Sequence, residues 1–566
     1  MKSLIYRYSG FLITAPVYLF TIFIIAPWGN FSINDDFYYL AQVKAFSLGI
    51  FTKSALVSPT FILQAFMGFI WSKIFGLTYV SLRILTILVT LICILVLDRI
   101  YSFLNIKQNI KAVSLLLIVF IPYLYVSSLT FMTENYFLLF VLLSLHYFLR
   151  YCRSHKMKQL FFASVMGGLS IMIRQYGIVL IITYLLVYII SKRCDFEKRE
   201  LATILLPFLT FGILGIYWPK YYSPFYLKSV DMRLFFTDIE NLLSRLTDIS
   251  PFPYIFYILI PFAFAIFSKL QTKIKFILML LAIPISRVFY SINIFSIGNL
   301  FYLESLYIKL SLNVRENLLN NLIFKTFLSY FIALSLLVFL YSMFLHIYRR
   351  VNKYTDAHSL TLVVMTIGFY LIVMLTDRVY DRYFLNFLVV LVILITYLYN
   401  KHNIVIGTQF LTSCIFICSV TFLLTFDYYR VNQLKWSMAN RLHVDHAIDE
   451  YDIFIDENYA STIFMEKYKN YKGLIRIIHS NYHPKCFIQE YIKQNGSGIN
   501  NLIDRYEQSG FINKYLPTPK SPYTGLMKDK SNHFDPKDIL YFDKEYSSPI
   551  YNILGKRTFV RAFCIN

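Results

Sequence analysis

Two adjacent carboxylates follow the first hydrophobic segment of this chain, in the run Asn-Asp-Asp-Phe-Tyr-Tyr at 34–39. Asp35 and Asp36 lie at the mouth of a predicted membrane helix, where ionisable groups are costly and count as functional candidates. A carboxylate near the water interface can act as a general base that takes the proton of an attacking hydroxyl or amine. The structural alternative is a helix cap, with Asn34 or Asp35 capping a helix from 37 onward. One acid can cap while the other reacts, so both interpretations stay open.

A third acid, Glu134, lies at the outer end of the fourth predicted helix, on the same side of the membrane as Asp35. It can orient a catalytic group or a substrate hydroxyl. Alternatively, Thr133 or Asn135 caps the helix, and Glu134 favours its positive N-terminus. A divalent metal held by Asp35, Asp36 and Glu134 is possible, although carboxylates alone do not establish one. No cysteine and histidine spacing is typical of a zinc site.

Three arginines are candidate phosphate ligands. Arg174 lies at a turn between two short predicted helices, Arg287 lies within a helix, and Arg382 precedes a late helix. Guanidinium groups suit bidentate contacts with phosphate oxygens. For each arginine the alternative is an ion pair, for example Arg382 with Asp381 or Asp377. The set as a whole predicts one or two ligands for a phosphate group on the outer face.

The elements that must position these groups are membrane helices. The chain has 566 residues, of which 57% are hydrophobic and 19% aromatic. Apolar runs of about 20 residues are long enough to cross the bilayer. The predicted fold is therefore an all-α polytopic membrane bundle. Its thirteen predicted helices are 11–28, 78–98, 112–126, 133–149, 159–173, 177–191, 201–218, 254–268, 276–295, 326–346, 359–376, 383–399 and 405–426.

The net charge of +22 raises the question of nucleic acid, but its distribution excludes that class of partner. With the N-terminus inside, the inner segments contain 20 Lys and Arg in 64 residues, whereas the outer segments up to 382 contain 13 in 129. This asymmetry is the positive-inside pattern of a membrane protein. No cleavage site follows 11–28, so we interpret it as a retained helix. An odd number of spans then places the tail outside the cytoplasm.

Two domains are predicted: a membrane domain at 1–426 and an extracytoplasmic C-terminal domain at 427–566, where polar residues and short strand-like patches predict a small α/β fold. Within 29–77, the segments 37–48 and 60–74 are interpreted as helices at the membrane interface. The alternative for 60–74 is one more span, which the charge asymmetry opposes. Cys486 and Cys564 fall in the external tail, where a disulfide is possible.

Taken in order, these residues carry a family resemblance. Its motifs are Asp35-Asp36 with the aromatic segment after it, Ser58-Pro59-Thr60-Phe61, Ile74-Phe75-Gly76-Leu77, Leu82-Arg83, Thr133-Glu134, Ile173-Arg174 and Asp381-Arg382-Tyr383-Phe384-Leu385. Over roughly 10–430 the chain resembles the GT-C membrane glycosyltransferases. Within them it is most similar to the branch of protein O-mannosyltransferases and the lipid A aminoarabinose transferase.

The resemblance implies transfer of a sugar from a polyprenyl-phosphate carrier to a glycan, lipid or protein acceptor on the external face, with inversion. It implies that Asp35 is the catalytic base and that Asp36 supports substrate binding. Glu134 matches a second acidic position, and Arg382-Tyr383 matches a recurrent motif near the cavity. The chain departs from the family at Asp35-Asp36, where Asp-Glu is frequent, and at Ser58-Pro59-Thr60, where His-Pro-Pro is frequent. These departures concern the acceptor.

Two other functions stay open from the sequence. A transporter or flippase for a lipid-linked glycan predicts charge at mid-bilayer and related sequence halves. Here the acids cluster at one face and no repeat is visible. A membrane scaffold does not need Asp35 in particular. We expect membrane lipid as the surroundings, no nucleotide donor, and a bacterial plasma membrane, because the composition is typical of an AT-rich bacterial genome.

Overall fold

The computed structural model describes residues 8–33, 35–51, 61–192, 197–222, 252–291, 322–349, 356–374, 381–402 and 407–450, and the strand residues 453–454, 486–492, 539–546 and 558–565. The described helices are α1 (Ser9–Ile25), α2 (Asp36–Ser47), α3 (Ile62–Phe75), α4 (Tyr79–Phe103), α5 (Gln108–Val119), α6 (Pro122–Ser127), α7 (Thr133–Ser154), α8 (Met157–Ile171), α9 (Ile178–Lys192), α10 (Lys198–Tyr222), α11 (Phe252–Phe267), α12 (Thr272–Ser291), α13 (Leu322–Arg349), α14 (Ala357–Met374), α15 (Leu385–Lys401) and α16 (Thr408–His446). Short 3₁₀ helices at Gln175–Gly177 and Asp381–Phe384 precede α9 and α15.

Every segment predicted as a membrane helix overlaps at least one described helix. Six of the described helices are long and apolar enough to cross a membrane: Tyr79–Phe103, Thr133–Ser154, Lys325–Ser342, Ala357–Met374, Arg382–Lys401 and Thr408–His446. Five other apolar helices are shorter, and one of them is α3. With 14 residues α3 is about 21 Å long, which is less than the ~30 Å hydrocarbon core. The count of thirteen spans stays a prediction.

The core of the helical part lies around α7. Its wholly buried positions include Leu138, Val141, Leu142, Leu145 and Leu149. They recur at intervals of three and four residues, which places them on one face of the helix. The helix packs against α4 and α8. The buried side chains thus hold α7 between its neighbours, and the first turn of α7 is positioned with the rest of the helix.

The packing of α8 on α10 depends on a small residue. A Cβ atom at Gly168 would lie 2.9 Å from the carbonyl oxygen of Pro207 and 2.6 Å from the Phe211 ring. A larger residue would therefore push the two helices apart. Close approach at small residues is a usual way for helices to associate in a membrane, where burial of apolar surface drives association only weakly.

Two predicted helices differ most in extent from the structure. The segment 112–126 is divided into α5 and α6, because Pro122 has no N–H and its ring disfavours helical geometry at the residue before it. The last helix was predicted to end at 426 but α16 continues to His446. With 39 residues it is about 58 Å long, well beyond the bilayer core. Hydropathy marks where a membrane helix stops being apolar, not where it stops being helical.

Two compact units are present. One comprises Met1–Pro27, Tyr38–Ile297 and Thr326–Phe422, and the other comprises Trp28–Phe37, Gly298–Lys325 and Leu423–Asn566. The short segment that carries Asp35 and Asp36 thus groups with the C-terminal part of the chain. The domain bounds 1–426 and 427–566 stay a prediction.

The second unit contains a four-stranded sheet made of β1 (Ile453–Phe454), β2 (Cys486–Ile492), β3 (Ile539–Tyr546) and β4 (Thr558–Ile565). The strand order is β1-β2-β4-β3, with β1 parallel to β2 and the other pairs antiparallel. The β2–β4 register pairs Cys486 with Cys564. The α/β character of the whole tail stays a prediction, since much of it lies outside the described residues.

Candidate active site

The first turn of α7 carries the acid of the site. Thr133 is its first residue, and Glu134 follows with 2% of its surface exposed. The Thr133 hydroxyl donates to Glu134 Oε2 at 3.3 Å. A carboxylate in the first turn also interacts favourably with the partial positive charge of the helix N-terminus. The start of α7 therefore determines the positions of both residues.

Arg174 joins this acid from the connection after α8. Its backbone is extended, with φ −145° and ψ 135°, directly before the 3₁₀ turn at Gln175–Gly177. Its Nη2 donates to Glu134 Oε1 at 2.5 Å, and its Nε donates to Thr133 Oγ1 at 2.8 Å. The pair is sheltered, with 11% of the Arg174 side chain and 2% of the Glu134 side chain exposed. The ion pair that the sequence left open as an alternative is thus present for Arg174.

Surrounding charges decide the ionisation of Arg174. Burial lowers the pKa of this guanidinium, but the nearby groups, Glu134 first among them and Tyr39 after it, more than offset the burial. The net result is a pKa above the ordinary value. Arg174 is therefore a permanent cation held in a sheltered position. Tyr39 itself is buried on α2 against Phe61, with ring centroids 4.6 Å apart.

The Tyr383 ring lies close to both Arg174 and Arg382. The 3₁₀ turn Asp381–Phe384 opens into α15 and carries both Arg382 and Tyr383. The guanidinium carbons of Arg174 and Arg382 each lie 5.5 Å from the Tyr383 ring centroid. Both distances are within the range of cation–π attraction. The structure therefore brings together Glu134, Arg174, Arg382 and Tyr383, which were predicted separately from the sequence.

One aromatic residue of the cluster was missed. Tyr176 contacts Tyr383 edge to face, with ring centroids 5.5 Å apart and planes at 78°. It lies two residues after Arg174, inside the 3₁₀ turn. Its closeness to Arg174 in the sequence was the available signal. However, an aromatic residue is unremarkable in a chain with 19% aromatic residues, so its type could not single it out.

Asp36 and Asp35 differ in their surroundings. Asp36 is the first residue of α2 and is 1% exposed. Its Oδ1 accepts a hydrogen bond from the Ile33 backbone N–H at 2.8 Å, and its own N–H donates to the Ile33 carbonyl at 3.4 Å. Asp35 occupies the preceding turn and is half-buried. Asp36 thus fixes the backbone before α2, and Asp35 is the more accessible acid. Asn34, the other proposed cap, lies outside the described residues.

Two further predictions gain no support from the structure. Arg287 lies on α12 with an exposed side chain, and within the described part of the chain nothing joins it to the Glu134 cluster. No group of three or more His, Cys, Asp and Glu among the described residues is arranged to hold a metal ion. The phosphate role of Arg287 and a divalent metal at Asp35, Asp36 and Glu134 therefore stay predictions.

Comparison with known proteins gives one family match. Residues 58–218 match the family described as dolichyl-phosphate-mannose-protein mannosyltransferase. No curated protein matches the chain. Two crystal structures of ArnT from Cupriavidus metallidurans align with it at a TM-score of 0.37 each. The structure bound to undecaprenyl phosphate is 11% identical and aligns over 98% of both chains, and the apo structure is 10% identical over 97% of both chains. A TM-score this low does not establish a shared fold.

The family match covers the part of the chain that carries Glu134 and Arg174. It confirms the resemblance drawn from the sequence motifs. Residues 58–218 are thus similar to this mannosyltransferase family, in agreement with the resemblance to the GT-C membrane glycosyltransferases.

Proposed function

We propose that this protein transfers a sugar from a polyprenyl-phosphate carrier to a hydroxyl or amine acceptor on the extracytoplasmic face of a bacterial plasma membrane. The observation that carries the proposal is the cluster of Glu134, Arg174, Arg382 and Tyr383. Among the side chains that the structure describes, it contains the cations Arg174 and Arg382 and the carboxylate of Glu134, and part of it lies in the segment that matches the mannosyltransferase family. That family's description names a sugar linked to dolichyl phosphate, which is a polyprenyl phosphate.

Two neighbouring guanidinium groups suit a phosphate leaving group. Arg174 gives two N–H groups to Thr133 and Glu134, and a guanidinium has five N–H donors in all. Its other N–H groups therefore have a fixed direction that Glu134 sets. Arg382 adds a second positive charge at the same ring. Preorganised donors of this kind stabilise charge that develops on the departing phosphate oxygen.

In this mechanism Asp35 removes the proton from the acceptor, whose oxygen or nitrogen attacks the anomeric carbon. The bond between that carbon and the phosphate oxygen breaks, the configuration inverts, and polyprenyl phosphate leaves as an anion. Asp35 is assigned as base because it is less buried than Asp36 and because Asp36 already accepts the Ile33 N–H. A base must be able to reach the proton that it removes.

Glu134 takes one of the roles that the sequence left open, the orientation of another group in the site. A carboxylate that accepts from a guanidinium at 2.5 Å is occupied in orienting that cation. We therefore assign Glu134 as the residue that positions Arg174, and not as a second base. Tyr383 provides the surface against which both arginines rest, and Tyr176 supports that ring.

The overall arrangement belongs to the same proposal. It includes thirteen membrane spans, an extracytoplasmic α/β domain after 426, and an inward-facing N-terminus. The asymmetry of Lys and Arg between inner and outer segments supports this orientation. In this orientation the N-termini of α7 and α15 both lie at the outer side, which agrees with their shared cluster.

The test is turnover by purified protein in detergent with a panel of polyprenyl-phosphate sugars, measured as release of free polyprenyl phosphate. We expect turnover by the native chain, none by Asp35→Asn, and a loss of about 10²-fold or more for Arg174→Gln. Asp445→Asn is the matched control, because Asp445 is an exposed acid on α16. Full turnover by Asp35→Asn would contradict the assigned base. No turnover with any donor, together with carrier movement across liposomes, would favour a flippase.

A further inference from the structure

The part of α16 that continues past the membrane-length segment packs on the segment that carries the acids. Both belong to the second unit, as Leu423–His446 and Trp28–Phe37. The Phe31 ring lies 5.5 Å from the Tyr429 ring and 6.0 Å from the Trp436 ring, centroid to centroid. The Trp436 contact is stacked, with the ring planes at 29°. Two aromatic residues of α16, seven positions apart, therefore contact one ring near the acids.

The Phe31 ring also packs closely against the backbone at Gly29. A Cβ atom at Gly29 would lie 2.1 Å from Phe31 Cε1, which no real side chain tolerates. The ring therefore folds back over position 29, and glycine makes this possible. Phe31 is 5% exposed and Tyr429 is 1% exposed. The aromatic anchor is thus a buried and closely fitted contact.

Ser32 and Ile33 connect Phe31 to the acidic pair. Ser32 and Ile33 are both 2% exposed. Ile33 then forms the two backbone links with Asp36, 2.8 Å from its N–H to Asp36 Oδ1 and 3.4 Å from the Asp36 N–H to its carbonyl. Asp35 lies in sequence between the two residues that this double link joins. The position of Phe31 therefore sets where the turn with Asp35 begins.

We propose that Tyr429 and Trp436 are positioning residues that hold Phe31 and, through it, the turn that carries Asp35. The proposal rests on the proposed function of Asp35 as the base. It gives the non-membrane part of α16 a specific task, which the sequence interpretation did not assign. A helix supports such a turn well, since rigid elements hold reacting groups more closely than loops do.

The expected consequence is a loss of rate at unchanged carrier affinity. Misplacement of a reacting group by about 1 Å can reduce the rate about 10²-fold. We expect Trp436→Ala and Tyr429→Ala to reduce kcat by about 10- to 100-fold. The KM for the carrier should stay near that of the native chain, because the arginines of the first unit are untouched. Trp436→Phe keeps a stacked ring and should restore most of the rate.

The experiment combines kinetics with hydrogen exchange measured by mass spectrometry on full-length protein in detergent. We expect the peptide amides of 28–37 to exchange faster in Trp436→Ala and Tyr429→Ala, and to return toward the native rate in Trp436→Phe. The matched control is Val444→Ala, which truncates an exposed apolar residue of the same helix, 67% exposed. It should change neither the exchange nor kcat.

The outcomes separate the two proposals. Unchanged exchange of 28–37 in both alanine variants would overturn the aromatic anchor. Faster exchange with native kcat would overturn its role in positioning. Rates that fall equally in Trp436→Phe and Trp436→Ala would also overturn it, since stacking would then be irrelevant. A native chain without turnover would contradict the proposed function, and the exchange result would still decide whether the anchor exists.

Discussion

The Glu134–Arg174 ion pair is the central feature at the scale of single residues. Both members are sheltered and they are joined at 2.5 Å. Removing one member of a buried pair leaves an uncompensated charge, which is usually worse than removing both. The sequence predicted each residue as a candidate. It did not predict that one is the partner of the other, because 40 positions separate them.

This pairing predicts the effect of Glu134→Gln. We expect a loss of about 3–5 kcal/mol in the free energy of unfolding, because Arg174 then lacks a negative partner. Turnover should fall as well, since the guanidinium is no longer oriented. Thermal unfolding in detergent and release of polyprenyl phosphate measure the two effects. The double variant Glu134→Gln, Arg174→Gln should recover stability but not turnover. Equal stability of the single and double variants would contradict this account.

At the scale of elements, a second buried ion pair joins three helices. Lys111 of α5 contacts Asp98 of α4, with Nζ and Oδ1 2.7 Å apart and 4% and 0% of the side chains exposed. The same Asp98 oxygen accepts from the backbone N–H of Phe11 at 3.2 Å, in the first turn of α1. Lys111 also donates to Ser102 Oγ at 2.8 Å. An acid from α4 thus supports the N-terminus of α1.

We predict that Lys111→Met destabilises the helical part strongly. The variant leaves Asp98 buried without its cation, so a loss of about 3–5 kcal/mol is expected. Asp98→Asn combined with Lys111→Met should be more stable than Lys111→Met alone. Thermal unfolding in detergent, followed by circular dichroism, gives the order of the three proteins. If the single variant is the more stable, the pair is not the contact that holds α1, α4 and α5 together.

A contact between the start of α14 and the end of α15 predicts a pH dependence of stability. Asp356 precedes α14 and accepts from the Ser359 N–H at 2.6 Å, from the Tyr397 hydroxyl at 3.1 Å and from Lys401. Burial alone raises the pKa of Asp356, but the hydrogen bonds from Lys401 and Ser359 outweigh it and bring the pKa to about 2. A pKa below the unfolded value of 3.8 means that the contact stabilises the protein fully above that value.

This stabilisation is therefore lost as the pH falls from about 4 toward about 2. The Tm of Asp356→Asn should lie below that of the native chain at neutral pH, and the difference should shrink through this range. The measurement is a pair of Tm against pH curves in one detergent. Curves that stay parallel down to about pH 2 would show that the charge of Asp356 is not the cause.

The sheet of the second unit bears on the disulfide that the sequence left open between Cys486 and Cys564. Cys486 and Cys564 are directly opposite in the β2–β4 register. Opposite residues of an antiparallel pair have Cα atoms about 4.5–5.5 Å apart, within the range that disulfides span. If the tail is extracytoplasmic, we expect this disulfide in protein purified without reductant. Peptide mapping before and after reduction checks it, and free thiols at both positions in unreduced protein would contradict it.

At the scale of the whole molecule, charge asymmetry predicts the orientation in the membrane. A reporter that fluoresces only in the cytoplasm should be dark when fused after residue 566, and a reporter that is active only outside should work there. The same reporters fused after 154, at the inner end of α7, should give the opposite result. Fluorescence of the C-terminal fusion would indicate an even number of spans, and would place the tail on the cytoplasmic side.

Some features of this protein follow from the sequence alone. The apolar runs indicated the membrane helices, because each helix must satisfy its own backbone hydrogen bonds in lipid. Asp35, Asp36, Glu134, Arg174 and Arg382 stood out because ionisable groups are rare in such a chain. The order of these residues gave the resemblance to the GT-C superfamily, and the family match over 58–218 supports it. All of this information is local in the sequence or depends only on the order of the residues.

Other features were decided by the tertiary structure. The pairing of Glu134 with Arg174, the shared ring of Tyr383, and the contact of Phe31 with Trp436 join residues far apart in sequence. The continuation of α16 past 426 to His446 was also invisible to hydropathy, because a helix in water needs only one buried stripe. Position and partner are properties of packing in three dimensions, and one sequence read by itself does not specify them.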